Sequence, residues 1–199
     1  MRISRVKRGT LIAMLGIGVA ATAAGGATVA ARGDPAAKAE VIAAFKRLNA
    51  RPSYRMRFTS QEGTGVVEVI RPDRVYSEVR TRQGTYQFIS VGTQSRLRVT
   101  KQGQPGGWRC SPNGTRPIFL SAMDQVRRNE TPVVRRPDTE IQGTLVHSYA
   151  DASGRGPVLY VDALTGLPRR LVEVDSQSRG ILDFYYYATP FAITLPPCK

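Results

Sequence analysis

Tyr54-Arg55-Met56-Arg57-Phe58-Thr59 and, past the turn Glu62-Gly63-Thr64-Gly65, Val66-Val67-Glu68-Val69-Ile70 decide how this chain folds. Apolar and charged residues alternate with a period of two, which puts Tyr54, Met56 and Phe58 on one face of a strand and Arg55 and Arg57 on the other. The glycine-bearing turn returns the second run along the first, so the pair reads as a hairpin with one apolar and one wet face. Arg71-Pro72-Asp73-Arg74 interrupts the pattern before Val75 to Thr81, and Gln83-Gly84 turns the chain again. Tyr86 to Val91 and Ser95 to Thr100 follow, the latter with Leu97 and Val99 alternating with Arg96 and Arg98. Antiparallel strands in meander order account for this whole region.

Upstream of the hairpin the period is that of a helix. Asp34 is a good N-cap, Pro35 suits the first helical position, and Ala37, Val41, Ala44, Phe45 and Leu48 recur at helical spacing. The spacing predicts a helix from about Pro35 to Leu48, ending near Asn49 and Pro52, whose narrow, alanine-rich stripe suits lying on a sheet. Downstream, Gln102 to Asn113 is rich in Gly and Pro and reads as loop, with Trp108 and Cys110 inside it. Pro117 to Arg128 is a second helical window, carrying Ile118, Phe119, Leu120, Ala122, Met123 and Val126. Strands then resume over Thr131 to Ile141, Leu145 to Ala150, Val158 to Asp162, Leu167 to Val174 and Ile181 to Tyr187. No internal repeat or linker divides residues 32–199, which read as one mostly β domain of the α+β class.

The first residues address the chain. Arg2, Arg5, Lys7 and Arg8 precede an apolar run from Leu11 to Ala24, and small residues stand at Ala21, Ala23, Val29 and Ala31. That is the layout of a secretory signal peptide, expected to be cleaved just after Ala31; the run is short of the roughly 20 residues a spanning helix needs. An uncleaved anchor is the alternative, with Ala27 to Ala31 extending the run past Gly25 and Gly26. Without a cysteine at the junction there is no site for lipid acylation, so the mature protein is expected to be soluble and periplasmic.

Charge and cysteines then narrow the function. Cleavage would take the bases from 29 to 25 against 15 acids, leaving a net charge of +10. A basic exported domain is drawn to an anionic membrane surface or an acidic envelope protein rather than to DNA. The arginines are moreover scattered through strand-like runs instead of clustering on a helix or between stacking aromatics, so a solvated sheet face explains them and no nucleic-acid partner is expected. Cys110 and Cys198 are both exported and even in number, which predicts one disulfide and argues against free thiols. No metal site is expected, because His147 is the lone histidine and has no cysteine or second histidine at ligand spacing. Neither a phosphate loop, a nucleophile elbow nor Cys-x-x-Cys occurs, and His147 in a strand is a poor general base. No cofactor and no catalytic residue are expected, and the chain is read as a non-enzyme.

Three stretches, Val41 to Met56, Val67 to Val75, and Leu159 to Arg170 with its Asp-x-x-Thr-Gly-Leu-Pro turn, together with the order of elements, resemble the LolA/LolB-like lipoprotein-carrier superfamily and a group of exported members of unassigned function. The resemblance implies a strongly curved antiparallel sheet, an incomplete barrel, whose concave face two helices cover. It also implies binding of a lipid, an acyl chain or another apolar ligand, or alternatively an envelope-stress module that binds a peptide or a lipoprotein tail. Two helices each shield a strip roughly 10 Å wide, whereas about ten strands at about 4.8 Å spacing make a far wider sheet. Part of the apolar face should stay open as a ligand site, unless the barrel closes and its side chains fill it. Its expected lining is Met56, Phe58, Val67, Val69, Val79, Leu97 and Val99 from the strands, with Phe119 and Met123 from the second helix.

Overall fold

A computed structural model describes residues 33–101, 103–111, 132–154, 156–174, 179–185 and 187–198. The first element, α1 (Pro35–Asn49), begins as expected: Asp34 keeps an extended backbone, its Oδ1 accepts the Ala36 N–H at 2.8 Å, and Pro35 fills the first turn. Lys46 and Arg47 lie in the last turn, where cations favour the dipole. Five strands follow in a meander: β1 (Ser53–Thr59), β2 (Gly63–Ile70), β3 (Arg74–Thr81), β4 (Gly84–Val91) and β5 (Gln94–Lys101). The segment expected to be loop contributes two short strands, β6 (Gln104–Pro105) and β7 (Arg109–Ser111), both paired with β5. The second half holds β8 (Val133–Ile141), β9 (Thr144–Asp151), β10 (Val158–Asp162), β11 (Pro168–Val174) and β12 (Arg179–Tyr185).

These twelve strands make one antiparallel sheet, ordered β6-β5-β4-β3-β2-β1-β12-β11-β10-β9-β8, with β7 also paired to β5. Each half is a meander, and the halves meet where the first strand pairs with the last, Met56 opposite Phe184 and Phe58 opposite Leu182. Among the described residues β8 pairs with neither β6 nor β7, so the sheet is curled but open. Two covering helices were expected; the described residues hold one, and the window 117–128 lies outside them, as does the expected signal peptide.

The stretches that carry the family resemblance turn out to be devices of the backbone. Asp162 Oδ1 accepts the N–H groups of Leu164 at 3.0 Å and Thr165 at 2.7 Å, and Gly166 takes a φ of +65° that closes the turn into β11. Asn49 accepts a hydrogen bond from the Arg71 guanidinium, tying the helix end to the β2–β3 turn. Gln142-Gly143 joins β8 to β9 with positive φ at both positions, the two-residue turn whose twist matches a hairpin.

The core lies between α1 and the sheet. Val41, Phe45 and Leu48 pack with Tyr54, Met56, Val67, Val69, Leu159, Val161, Leu171 and Phe184. At roughly 1.5–3 kcal/mol for each large apolar side chain buried, this contact outweighs any intrinsic helix propensity.

The other face of the first half is crossed by the carboxyl-terminal segment, residues 187–198. Ala188 N–H donates to Ser53 O at 2.7 Å, and Ser53 Oγ–H to Thr189 O at 3.0 Å. Phe191 lies under the Arg55 guanidinium at 4.7 Å, and the Ile193 carbonyl accepts from Arg74 at 3.3 Å. By register Ser53, Arg55, Arg74 and Cys110 all project away from the helix side. The strap therefore runs over β1 to β5 and ends in the expected Cys110–Cys198 disulfide, with Cα atoms 5.6 Å apart. The bridge spans 88 residues, and closing a loop of that length is worth up to about 4–5 kcal/mol in the chain-entropy model. Replacing both cysteines by serine should lower the unfolding free energy by that much or less, seen as a lower urea midpoint with a somewhat steeper slope because the unbridged unfolded chain is less compact; an unaltered midpoint would show that the strap holds without its staple.

Candidate ligand-binding face

Directly opposed residues in an antiparallel ladder share a face, so the register converts the alternation of the sequence into rows. Three rows cross β1 to β5 on the helix side: Tyr54, Val69, Val75, Ser90, Ser95; Met56, Val67, Ser77, Phe88, Leu97; and Phe58, Gly65, Val79, Tyr86, Val99. The seven strand residues expected to line a ligand site thus stand on one face. Phe119 and Met123 lie outside the described residues.

Burial falls along the middle row, from Met56, Val67 and Ser77 to Phe88 and Leu97, whereas the first row ends on the fully buried Ser95. Tyr54, Met56, Val67 and Val69 are sealed in the cluster with α1 and form core. Phe58, Val79, Tyr86, Phe88 and Val99 are half-buried, and Leu97 is 40% exposed. Leu97 sits in mid-strand, unlike the exposed Leu145 and Leu164, which stand at a strand end and on a turn. An apolar side chain left open in the middle of a sheet face, beside two half-open aromatic rings, marks a surface that the described residues leave without cover. Phe58 has a second role: a Cβ at Gly65 would come within 2.8 Å of its ring, so the ring occupies the space over that glycine and forms one wall of the patch.

Tyr86 and Phe88 belong to this surface and were missing from the expected lining. Their alternation is masked because Ile89 and Val91 give β4 apolar residues on its other face as well. Ile89 is buried on the side the strap crosses. A strand covered on both faces loses the period-two signal.

The opposite face of the same strands is polar. Glu78 accepts from Tyr76 at 2.8 Å, Gln87 at 2.9 Å and Arg80 at 2.8 Å; Gln87 in turn accepts from Arg98 at 2.6 Å, and Arg98 stacks on Trp108. Desolvation works to raise the Glu78 pKa, but the donors Tyr76, Arg80 and Gln87 outweigh it and hold the carboxyl below its ordinary range. Arg55 pairs with Glu68 at 2.8 Å and Arg170 with Asp183 at 2.6 Å. These arginines are the wet side of a sheet.

A second polar group sits at the β8–β9 margin beside α1. His147 Nδ1 lies 3.1 Å from Asp138 Oδ1 and 2.9 Å from Arg135 Nη2, while Arg135 reaches Glu40 at 3.7 Å and Tyr149 O–H donates to Glu40. Burial first, then the Glu40 carboxylate, pushes the Tyr149 hydroxyl up, which keeps it a neutral donor. Ser148 points to the other face, and both cysteines are bridged. The group therefore has no nucleophile; it ties the helix to the sheet. Among the described residues no set of three ligands could hold a metal ion.

The Asp138 carboxyl is held below its usual value by hydrogen bonding to His147 and then to Arg135. A lowered folded pKa contributes stability that is complete above the unfolded value, about 3.9, and is lost as pH falls through the folded one. Asp138→Asn should therefore shrink the drop in melting temperature between pH 5 and pH 2.5 relative to wild type. An identical drop in the two proteins would remove Asp138 from the acid limb.

The class the fold defines is a mostly β one: an open, curled antiparallel sheet with a helix on one side, beside an apolar patch that the described residues leave uncovered. No protein-family model matches the chain, and no curated protein matches it by sequence. Among solved structures, LprF from Mycobacterium bovis is similar with a TM-score of 0.59 at 11% identity, over 83% of this chain and 99% of that one. The Mycobacterium tuberculosis lipoprotein LppX is similar with a TM-score of 0.59 at 12% identity, over 81% and 100%. At such identity the likeness is one of fold.

Proposed function

We propose that this chain is an exported, non-enzymatic binding protein that holds a lipid, an acyl chain or another apolar ligand against the helix-side face of β3 to β5. The observation that carries the reading is the half-open patch of Phe58, Val79, Tyr86, Phe88, Leu97 and Val99, continuous with the core yet beyond α1. A concave or curled surface lined by aliphatic and aromatic side chains, with a few small polar groups such as Ser77 and Ser90, is the usual make-up of an apolar ligand site. Export rests on the basic and apolar leader in residues 1–31. Among the described residues no helix is long and apolar enough to cross a membrane. The absence from the sequence of a nucleophile motif, a phosphate loop and a metal-ligand pattern supports binding over catalysis.

The patch and the core call for opposite outcomes on charging. The neutral dye N-phenyl-1-naphthylamine should brighten on binding the folded protein. Phe88→Asp and Leu97→Asp should keep a cooperative melt and weaken dye binding at least tenfold, because each puts a carboxylate on the patch without burying it. Met56→Asp should fail to fold, since an unpaired charge in the sealed core costs several kcal/mol. A wild type that never brightens the dye would end the apolar-ligand reading. Solvent extraction of the periplasmic protein and mass spectrometry should recover an amphiphile; a recovered peptide would turn the reading to the peptide-binding alternative.

A further inference from the structure

Charge is divided unevenly between the two faces of β1 to β5. Glu68 and Glu78 project from the polar face, where Arg55 and Arg80 pair with them. The helix-side face of these strands bears no carboxylate among the described residues: beyond the three rows it carries Gly63, Thr81, Gly84 and Lys101. Lys101 continues the parity of Leu97 and Val99 at the far end of β5. Arg109 on β7 stands opposite Leu97 and so extends the row of Phe88 and Leu97 by one position. Both side chains are exposed, and neither makes an ion pair with a described residue. Arg55, Arg80, Arg135 and Arg170 each have a carboxylate partner. The apolar patch is therefore bordered along β5 and β7 by two cations that lack one among the described residues, about 14 Å apart along the strand direction at roughly 3.4 Å per residue.

We propose that this face takes an anionic amphiphile, with its hydrocarbon chain across Phe58, Tyr86, Phe88 and Val79 and its negatively charged head at the β5–β7 margin against Lys101 and Arg109. The inference rests on the reading of the patch as an apolar-ligand site and adds the sign of the ligand's head. A carboxylate or phosphate at the edge of an apolar surface is attracted more strongly than in open water, because the protein side excludes solvent. A neutral head would gain nothing from the two cations, and a cationic head would be repelled.

The test uses cis-parinaric acid, a fluorescent fatty acid, and its methyl ester, titrated into the full mature protein at pH 8. The acid should bind about tenfold or more tightly than the ester. Raising the salt from 50 to 500 mM should weaken the acid several-fold and leave the ester unmoved, since the screening length falls from about 14 Å to about 4 Å over that range. In the Lys101→Gln, Arg109→Gln double variant the preference should fall to within about twofold of unity, whereas Arg169→Gln, on β11 in the other half of the sheet, should keep it. Equal binding of acid and ester by the wild type, or a preference that survives the double variant, overturns the anionic head and leaves the apolar site standing. Binding of neither probe overturns both. The salt series on the wild type decides the matter even if the double variant folds poorly.

Discussion

Everything in this structure depends on the pairing of the first strand with the last. Each half of the chain could form a meander by local turns alone, and a hairpin ladder needs little loop closure. Joining β1 to β12 brings together strands from the two ends of the domain, and it places Phe184 and Leu182 beside Met56 and Phe58. Only then is there an apolar surface broad enough for Val41, Phe45 and Leu48 to bury against strands from both halves. The helix lies against β8, β10 and β11 and shares its apolar cluster with Tyr54, Met56 and Phe184, with the Glu40, Arg135 and Tyr149 contacts fastening it to β8 and β9.

Cover is then shared out asymmetrically. The helix shields one face around the junction, and the carboxyl-terminal strap shields the other face across the first half, anchored by Ser53, Arg55, Arg74 and the disulfide. The strap lets β3 to β5 be held from behind, so their helix-side face can stay open without the strands losing their support. Among the described residues one face of these strands is braced and polar, and the other is apolar and in part uncovered.

The same division sorts the charges. Carboxylates and most arginines of the first half meet across strands on the polar face, where Glu78, Gln87 and Arg98 form a continuous ladder. Much of the positive charge on these strands is thus the polar side of a β-sheet, at positions that alternate with the apolar rows.

The sequence by itself determined the local units. Asp34-Pro35 and the spacing of Val41, Phe45 and Leu48 specified the helix, the alternation around Met56 and Phe58 specified the hairpin, and Leu97 with Val99 specified which side of β5 is apolar, because a period of two or 3.6 is a property of neighbouring residues. Two cysteines, both in the part of the chain expected to be exported, were enough to anticipate the bridge. The tertiary structure alone decided that β12 lies beside β1, that the tail crosses the polar face, and that Tyr86 and Phe88 join the open patch while Met56, Val67 and Val69 are closed into the core. Register, cover and burial depend on contacts between residues far apart in the chain. No periodicity within one segment encodes which distant segment will lie against it.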